Sequence, residues 1–224
     1  MSQPTVVDRG HDRVLTVDGV QHVTRYSERL VRMLIERKGP ARTALYFRFK
    51  ETRGTYFLSR LFDYLTRRGT RGLRVLEVGC SFGHVTEYLH EQPVVAEICT
   101  FDVDKPFVDI TRVKVEELSL SKVRGVDHFT DEETTRLPFA DGAFDLVLAI
   151  GVIEHLPARE RHRFVDEYYR VLAPSGHIAI LDTPNRAFPL ETHSVGLPGI
   201  QWLPAPLAYR YARLARPARC GREP

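Results

Sequence analysis

The 224-residue sequence contains few cysteines and no long apolar run. Its three cysteines, Cys80, Cys99 and Cys220, have neither paired spacing nor the clustering of a zinc site, which favours free thiols in a reducing compartment. No apolar stretch approaches the ~20 residues that a membrane-spanning helix needs. The polar N-terminus does not resemble a secretory signal. We therefore expect a cytoplasmic protein without a transmembrane segment.

The sequence also lacks a strong charge imbalance and an internal repeat. Its formal net charge is only +3, which argues against a nucleic-acid partner. The length suits one domain with extensions, and the hydrophobic content of 43% suffices for a core. These features leave the oligomeric state open.

The stretch at residues 74–84 reads as a short buried strand, a glycine-containing turn and the start of a helix. Gly79 and Gly83 would let the backbone turn sharply and let a ligand approach closely. Glu77, at the end of the strand, would place a carboxylate beside that turn. A dinucleotide-binding fingerprint would need a third glycine where His84 stands. The pattern therefore favours a zwitterionic ligand over a diphosphate.

Strand and helix patterns alternate along the chain. We expect strands at 73–78, 97–103, 125–129, 144–150 and 177–181, the last preceded by a turn at 174–176. We expect helices at 26–37, 55–67, 84–90, 105–124 and 158–172, after a loose arm or short hairpin at 1–22. Such alternation predicts an α/β fold, a doubly wound, mostly parallel sheet with helices on both faces.

Three regions follow from this pattern. We expect an arm and helical extension over 1–72, a nucleotide-binding core over 73–183, and a loop and amphipathic tail over 184–224. After Leu181 no two further apolar runs occur, so we expect no C-terminal edge strands there, with the chain shortened or the tail in their place.

An acidic residue marks the end of the second core strand. In doubly wound sheets, an acid about 20 residues past the glycines binds ribose hydroxyls at the carboxyl ends of the strands. Asp102 stands 19 residues after Gly83 and fits this role, with Asp104 as the alternative. Either aspartate could instead be a solvated charge at a strand end.

Four motifs in order resemble one family, the class I S-adenosylmethionine (SAM)-dependent methyltransferases, in their small-molecule, type 11-like branch. The first is E-x-G-x-x-x-G, in which Ser81 stands where the family usually has glycine, so that one freely positive-φ residue is lost. The other three are L-P-F-x-D-G-x-F-D-L-V at 137–147, I-E-H-L at 153–156 and R-V-L-x-P-x-G at 170–176. Together they cover residues 73–183, about half of the chain. The resemblance implies a Rossmann-like fold, SAM as cofactor and methyl transfer to an acceptor.

The resemblance also implies roles for individual residues around SAM. Glu77, Gly79, Cys80 and Gly83 would surround its amino-acid end, and Asp102 would hold the ribose.

Three more positions of the family's cofactor site have counterparts here. Glu133 would meet the adenine amino group with Thr134 beside it, although the family usually has aspartate there and Glu133 could be an exposed loop acid. Ile150 would lie under the sulfonium and methyl region.

Two histidines are candidates for catalysis. A general base is needed only where the acceptor does not lose its proton easily. His155 could accept a hydroxyl proton or could orient a loop, and His193 lies with Asn185 and Glu191 in a loop where the acceptor is expected. Some related methyltransferases bind a divalent ion through E-x-x-E-H, but the first acid's position is Gly151 here, so we expect no metal.

The tail at 201–216 carries leucines and arginines at helical spacing. Such a helix could associate weakly with a membrane surface or a partner, or pack on its own domain. Our leading hypothesis is methyl transfer to an oxygen of a small-molecule acceptor. The alternatives are a catalytically impaired SAM-fold binding protein with a shortened C-terminus, and an RNA-directed methyltransferase.

Overall fold

The computed structural model describes residues 13–17, 19–40, 43, 58–157, 159–183, 187, 189–190 and 196–216. The chain divides into two compact units, Met1–Leu181 and Asp182–Pro224. In the described part of the chain, no helix has the length and apolar character needed to cross a membrane.

A five-stranded parallel sheet forms the centre of the first unit. Its strands are β3 (Leu73–Val78), β4 (Val95–Asp102), β5 (Val123–His128), β6 (Phe144–Ile150) and β7 (Leu172–Leu181). Their order is β5-β4-β3-β6-β7, and every neighbouring pair is parallel. The chain therefore reverses its direction of winding between β3 and β6, where doubly wound sheets bind ligands at the carboxyl ends of their strands.

Helices cover both faces of this sheet. They are α2 (Ser59–Arg67), α3 (His84–Glu91), α4 (Lys105–Glu117) and α5 (Arg161–Val171). Adjacent residues of β3 point to opposite faces, so Val75 packs in a cluster with α2 and α3, and Leu76 packs in a cluster with α5. Both side chains are fully buried. The predicted α/β fold with helices on both faces is confirmed.

The N-terminal extension begins with an antiparallel hairpin of β1 (Arg13–Val17) and β2 (Val20–Thr24), one of the two predicted alternatives. The helix α1 (Glu28–Lys38) follows. Ser27 caps it by accepting a hydrogen bond from the Leu30 N–H, and the helix ends at Gly39. The predicted helix at 55–67 is seen as α2 from Ser59, and residues 55–57 lie outside the described part.

The boundaries of β3 and β6 agree with the prediction, whereas the start of β7 does not. The predicted turn at 174–176 lies inside β7, which begins directly after α5. Phe144 pairs with Leu172, and Leu146 pairs with His177, so the intervening residues of β7 form a bulge. A Cβ at Gly176 would lie 2.7 Å from Leu172 Cδ1, which explains the glycine in the bulge.

The second unit contains a short 3-10 helix (Ile200–Trp202) and α6 (Ala205–Ala215). Leu197, Ile200 and Ala212 form its small core. Among the residues described after Leu181, the only strand-like pairing is an isolated bridge between Leu190 and Pro198. In these residues, no further strand extends the sheet.

Candidate cofactor-binding site

The turn after β3 holds three residues in the left-handed region. The φ angles are +78° at Gly79, +48° at Ser81 and +67° at Gly83. A Cβ at Gly79 would lie 2.8 Å from Val152 Cγ2, and a Cβ at Gly83 would lie 2.9 Å from Thr111 Cγ2, so both positions need glycine. Ser81 adopts a positive φ although it is not glycine. A positive φ is less favourable for serine than for glycine, but the turn keeps its shape with serine at this position.

Glu77 is a buried carboxyl at the end of β3, with 2% of its surface exposed. Its Oε2 accepts a hydrogen bond from Thr86 Oγ1 at 2.6 Å. Among the described residues, no hydrogen-bond donor reaches its buried Oε1. Burial raises the pKa of Glu77 to about 7. A ligand that brings a cationic donor to Oε1 would offset this desolvation.

Asp102 lies at the carboxyl end of β4, beside the turn. Its Oδ2 accepts from the Ser81 N–H at 2.8 Å, and its Oδ1 accepts from the Asp104 N–H at 2.9 Å. Burial raises its pKa above the ordinary value. The Gly79 N–H and the Cys80 N–H both donate to the Phe101 carbonyl, at 3.0 and 2.9 Å. The glycine turn and the end of β4 are thus joined by hydrogen bonds, and the two predicted carboxylates lie at the carboxyl ends of two adjacent parallel strands.

The hydrogen-bonding groups of this arrangement suit SAM, which carries an ammonium group and ribose hydroxyls. Glu77 supplies a buried carboxyl with an oxygen that has no donor in the described part of the chain. The turn supplies a backbone without obstructing side chains at Gly79 and Gly83, and Asp102 supplies a carboxylate that can also accept from hydroxyls.

Comparison with known proteins identifies the family of this site. The family described as "Methyltransferase domain" matches residues 76–180. Residues 76–180 thus resemble the class I SAM-dependent methyltransferases, and the parallel sheet with helices on both faces agrees with that family.

Curated relatives carry methyltransferase names as well. The chain is 33% identical over 113 residues to "Demethylmenaquinone methyltransferase" of Thermus thermophilus, covering 50% of this chain and 47% of the relative. It is 32% identical over 124 residues to "Probable tRNA methyltransferase 9B" of Mus musculus, covering 52% and 24%. A solved structure of a SAM-dependent methyltransferase from Aquifex aeolicus aligns with a TM-score of 0.48 and 24% identity, covering 69% of this chain and 81% of that one. The chain spans less than half the length of these two curated relatives.

The Cys80 side chain is part of the core. It is buried against Val108 and Val126, and burial raises the pKa of its thiol. Any contact between Cys80 and a cofactor would therefore be through its backbone, and that contact stays a prediction.

Glu133 and Thr134 lie in a 3-10 helix (Glu133–Thr135). Glu133 Oε2 accepts from the backbone N–H of Thr130 at 2.7 Å and from its Oγ1 at 2.9 Å, which lowers the pKa of Glu133. Thr134 is buried, and its Oγ1 donates to the Asp131 carbonyl at 2.7 Å. Both side chains have local structural partners, so their proposed contact with adenine stays a prediction.

The methyl-transfer end of the site is described only in part. Ile150 is half-buried at the end of β6, and His155 is exposed in the 3-10 helix Ile153–His155. His193, Asn185 and Glu191 lie outside the described residues. Within the described part of the chain, no group of three or more potential ligand side chains could hold a metal ion.

A buried charged cluster next to the glycine turn was not predicted. Lys114 on α4 is fully buried, and its Nζ lies 3.0 Å from Tyr26 Oη, 2.9 Å from His84 Nδ1 and 3.3 Å from Glu87 Oε2. Tyr26 Oη donates to Glu87 Oε2 at 2.7 Å, and Arg25 forms an ion pair with Glu87. This cluster therefore connects the N-terminal extension to α3 and α4.

Burial determines the ionisation of this cluster. It lowers the pKa of Lys114 to about 8, against the opposing charge of Glu87. It lowers the pKa of His84 well below its ordinary value, so this imidazole is neutral and its Nδ1 can accept from the ammonium. The only sequence signal was a lysine next to Ile110, Thr111 and Val113 on an amphipathic helix, which reads equally well as an exposed charge.

Proposed function

We propose that this methyltransferase binds SAM and transfers its methyl group to an oxygen of a small-molecule acceptor. The cofactor assignment rests on the buried Glu77 carboxyl, which lies directly before the glycine turn and beside Asp102. Its Oε1 accepts no hydrogen bond from the described residues. Glu77 would pair with the ammonium of SAM, Asp102 would accept hydrogen bonds from the ribose hydroxyls, and the two glycines would keep the approach free of side chains.

When bound, SAM supplies a methyl group made electrophilic by the sulfonium. The residues of this chain would bind the cofactor at both ends, and they would orient the acceptor for in-line attack. His155, just beyond β6, would accept the hydroxyl proton of the acceptor through an imidazole nitrogen. The oxygen assignment rests on this exposed imidazole.

The cofactor part is tested by calorimetry with SAM, its demethylated product and NAD. We expect the first two to bind and NAD not to bind. Asp102→Asn removes the charge but keeps an acceptor for Ser81, and should weaken SAM binding about 10- to 100-fold, since a hydrogen bond to a charged group contributes ~1.5–3 kcal/mol. Asp109→Asn, an exposed carboxylate on α4 that pairs with Lys105, is the matched control and should bind normally. Equal affinities in the two variants would refute the proposed role of Asp102.

The acceptor part is tested by transfer of a labelled methyl group to hydroxylated small molecules, amines and transfer RNA. We expect O-methylated product, a loss of turnover in His155→Ala and normal turnover in His162→Ala, an exposed histidine on α5. Cofactor binding without turnover on any acceptor would favour a SAM-fold binding protein.

An RNA acceptor is the second candidate, because a relative is named as a tRNA methyltransferase. The small net charge of +3 argues against it. RNA binding that weakens steeply with salt, together with methyl transfer to RNA, would establish it in place of the small-molecule acceptor.

A further inference from the structure

Helix α6 packs within its own unit through one face, which carries two alanines and a tyrosine. Ala212 is buried, and Ala208 and Tyr211 are half-buried beside it, next to Leu197 and Ile200. This packing face leaves the two leucines of the helix, Leu207 and Leu214, on another side.

Two leucines of α6 and one just before the helix are exposed, and we call these three residues the leucine stripe: Leu207, Leu214 and Leu203. Leu207 and Leu214 are seven residues apart on α6, about two helical turns, so they lie on the same face. Leu214 is 83% exposed and Leu207 is 51% exposed. Trp202, just before the stripe, is 59% exposed. Single exposed leucines are common, but three within twelve residues, together with an exposed tryptophan, indicate a surface that binds a partner.

The charge around the stripe has one sign. Arg210, Arg213 and Arg216 are exposed on α6 or at its end, and Arg210 is three residues from Leu207 and four from Leu214, on the same face. The described segment 196–216 contains no aspartate or glutamate. A partner that covers this face must therefore accept apolar side chains and cations together.

We propose that α6 lies in the plane of an anionic lipid surface, with the leucine stripe at the acyl boundary and the arginines on the lipid phosphates. A basic amphipathic helix binds such a surface through buried apolar area and attraction to anionic headgroups. Trp202 suits the interface because its ring is apolar and its N–H is polar. RNA would neutralise the arginines but leave the leucines in water. This inference uses residues of the second unit only and does not depend on methyl transfer.

The experiment uses the intrinsic fluorescence of the full chain, because Trp202 is its single tryptophan. Vesicles of phosphatidylcholine with 30% phosphatidylglycerol are compared with vesicles of phosphatidylcholine alone. We expect a blue shift with the anionic vesicles, quenching by lipids brominated on the acyl chains, and weakening of both by salt. No shift with anionic vesicles would overturn the proposal.

Paired variants separate the apolar and the charged contributions. Leu207→Gln with Leu214→Gln should abolish the acyl-chain quenching without a change in net charge. Arg210→Gln with Arg213→Gln should lower the partition coefficient roughly 25-fold, since each basic residue near an anionic surface contributes about a fivefold factor.

Controls match each pair in chemistry and exposure. Val23→Gln with Tyr169→Gln removes two exposed apolar side chains of the first unit, and Arg29→Gln with Arg67→Gln lowers the net charge by the same amount as the arginine pair. Both controls should bind vesicles as the parent does. A blue shift that requires RNA instead of lipid, or that appears with protein concentration in the absence of lipid, would overturn the proposal in favour of an RNA partner or a second copy of the chain.

Discussion

Glu77 is the residue at which stability and the proposed function oppose each other. Its carboxyl is buried, and its pKa in the folded protein, about 7, lies above the ordinary 4.5. The folded state therefore binds a proton more tightly than the unfolded state. The stability linked to this proton is fully present below pH 4.5 and is lost as the pH rises through 7, a cost on the order of 3 kcal/mol above that pH.

Glu77→Gln should therefore stabilise the cofactor-free protein at pH 8. We expect a gain of about 1–3 kcal/mol, since the amide oxygen can accept from Thr86 but the buried amide N–H groups offset part of the benefit. The same variant should bind SAM more weakly because it lacks the charge that would pair with the ammonium. Denaturant unfolding and calorimetry measure the two effects, and Glu116→Gln, an exposed acid on α4, should change neither. A variant that loses both stability and affinity would show that Glu77 is structural only.

The pH dependence of cofactor binding provides an independent prediction. Below pH 7 Glu77 is protonated and cannot pair with a cation, so SAM affinity should fall as the pH decreases from 7 to 5.5. Above about pH 8 an α-amino group of ordinary pKa loses its proton, so affinity should fall again. Calorimetry across this range should give a maximum between the two values, and Glu77→Gln should flatten the acidic side. A flat profile in the parent protein would contradict the proposed pairing.

At the scale of elements, the buried cluster attaches the N-terminal extension to the core. Of the side chains that contact Lys114 in the buried cluster, Glu87 on α3 is the only anion. Glu87 also accepts from Tyr26 and Arg25. The three donors lower the pKa of Glu87 against the effect of burial. Its contribution to stability is thus present above pH 4.5 and is lost as the pH falls through the lowered value.

Replacement of Glu87 by glutamine should strongly destabilise the first unit. It would leave Lys114 buried beside Arg25 without their shared counter-charge, and loss of one partner of a buried pair typically costs about 3–5 kcal/mol. Glu91→Gln is the matched control on the same helix, because Glu91 pairs with the same Arg25 at 3.3 Å but is about one-third exposed. We expect less than about 1 kcal/mol for Glu91→Gln. Urea unfolding of the two variants compares them, and equal losses would show that the buried cluster contributes no more to stability than the exposed ion pair.

The sequence predicted the limits of a strand well where its residue pattern fitted only one kind of structure. β3 and β6 are short, mainly apolar stretches whose residues are mostly buried, and their limits were predicted to the residue. Glu77 and Asp102 were predicted to bind opposite ends of one cofactor, and they lie at the carboxyl ends of the adjacent strands β3 and β4. The start of β7 was wrong because proline, serine and glycine predict a turn, and the pairing with β6 turns them into a bulge.

Long-range pairing explains what the sequence did not predict. Tyr26 and Lys114 are 88 residues apart, and only the packing of α1 against α4 brings their elements together. Lys114 on its helix looks like any exposed lysine until Glu87 is placed beside it. Similarly, the hydrogen bonds that Glu133 accepts from Thr130 depend on a local backbone shape that its side chain alone does not indicate.

At the scale of the whole molecule, the order of strands implies a gradient of stability across the sheet. β3 and β6 are paired on both sides, and most of their residues are buried. β5 and β7 are the outer strands, and most of their residues are either half-buried or exposed. Within the described residues, no strand pairs with the outer side of β7.

Amide hydrogen exchange should therefore be slowest in β3 and β6 and at least tenfold faster in β5 and β7. Amides in the central strands exchange only when the sheet opens as a unit, whereas outer strands can separate locally at lower free energy. Exchange followed by mass spectrometry of the full chain, on peptides that cover 73–78, 123–128, 144–150 and 172–181, measures the difference. If β7 were protected as strongly as β3, its outer edge would have to be covered in solution, by another segment of the chain or by a second copy. A dilution series would then distinguish these two cases, because only protection by a second copy falls as the protein is diluted.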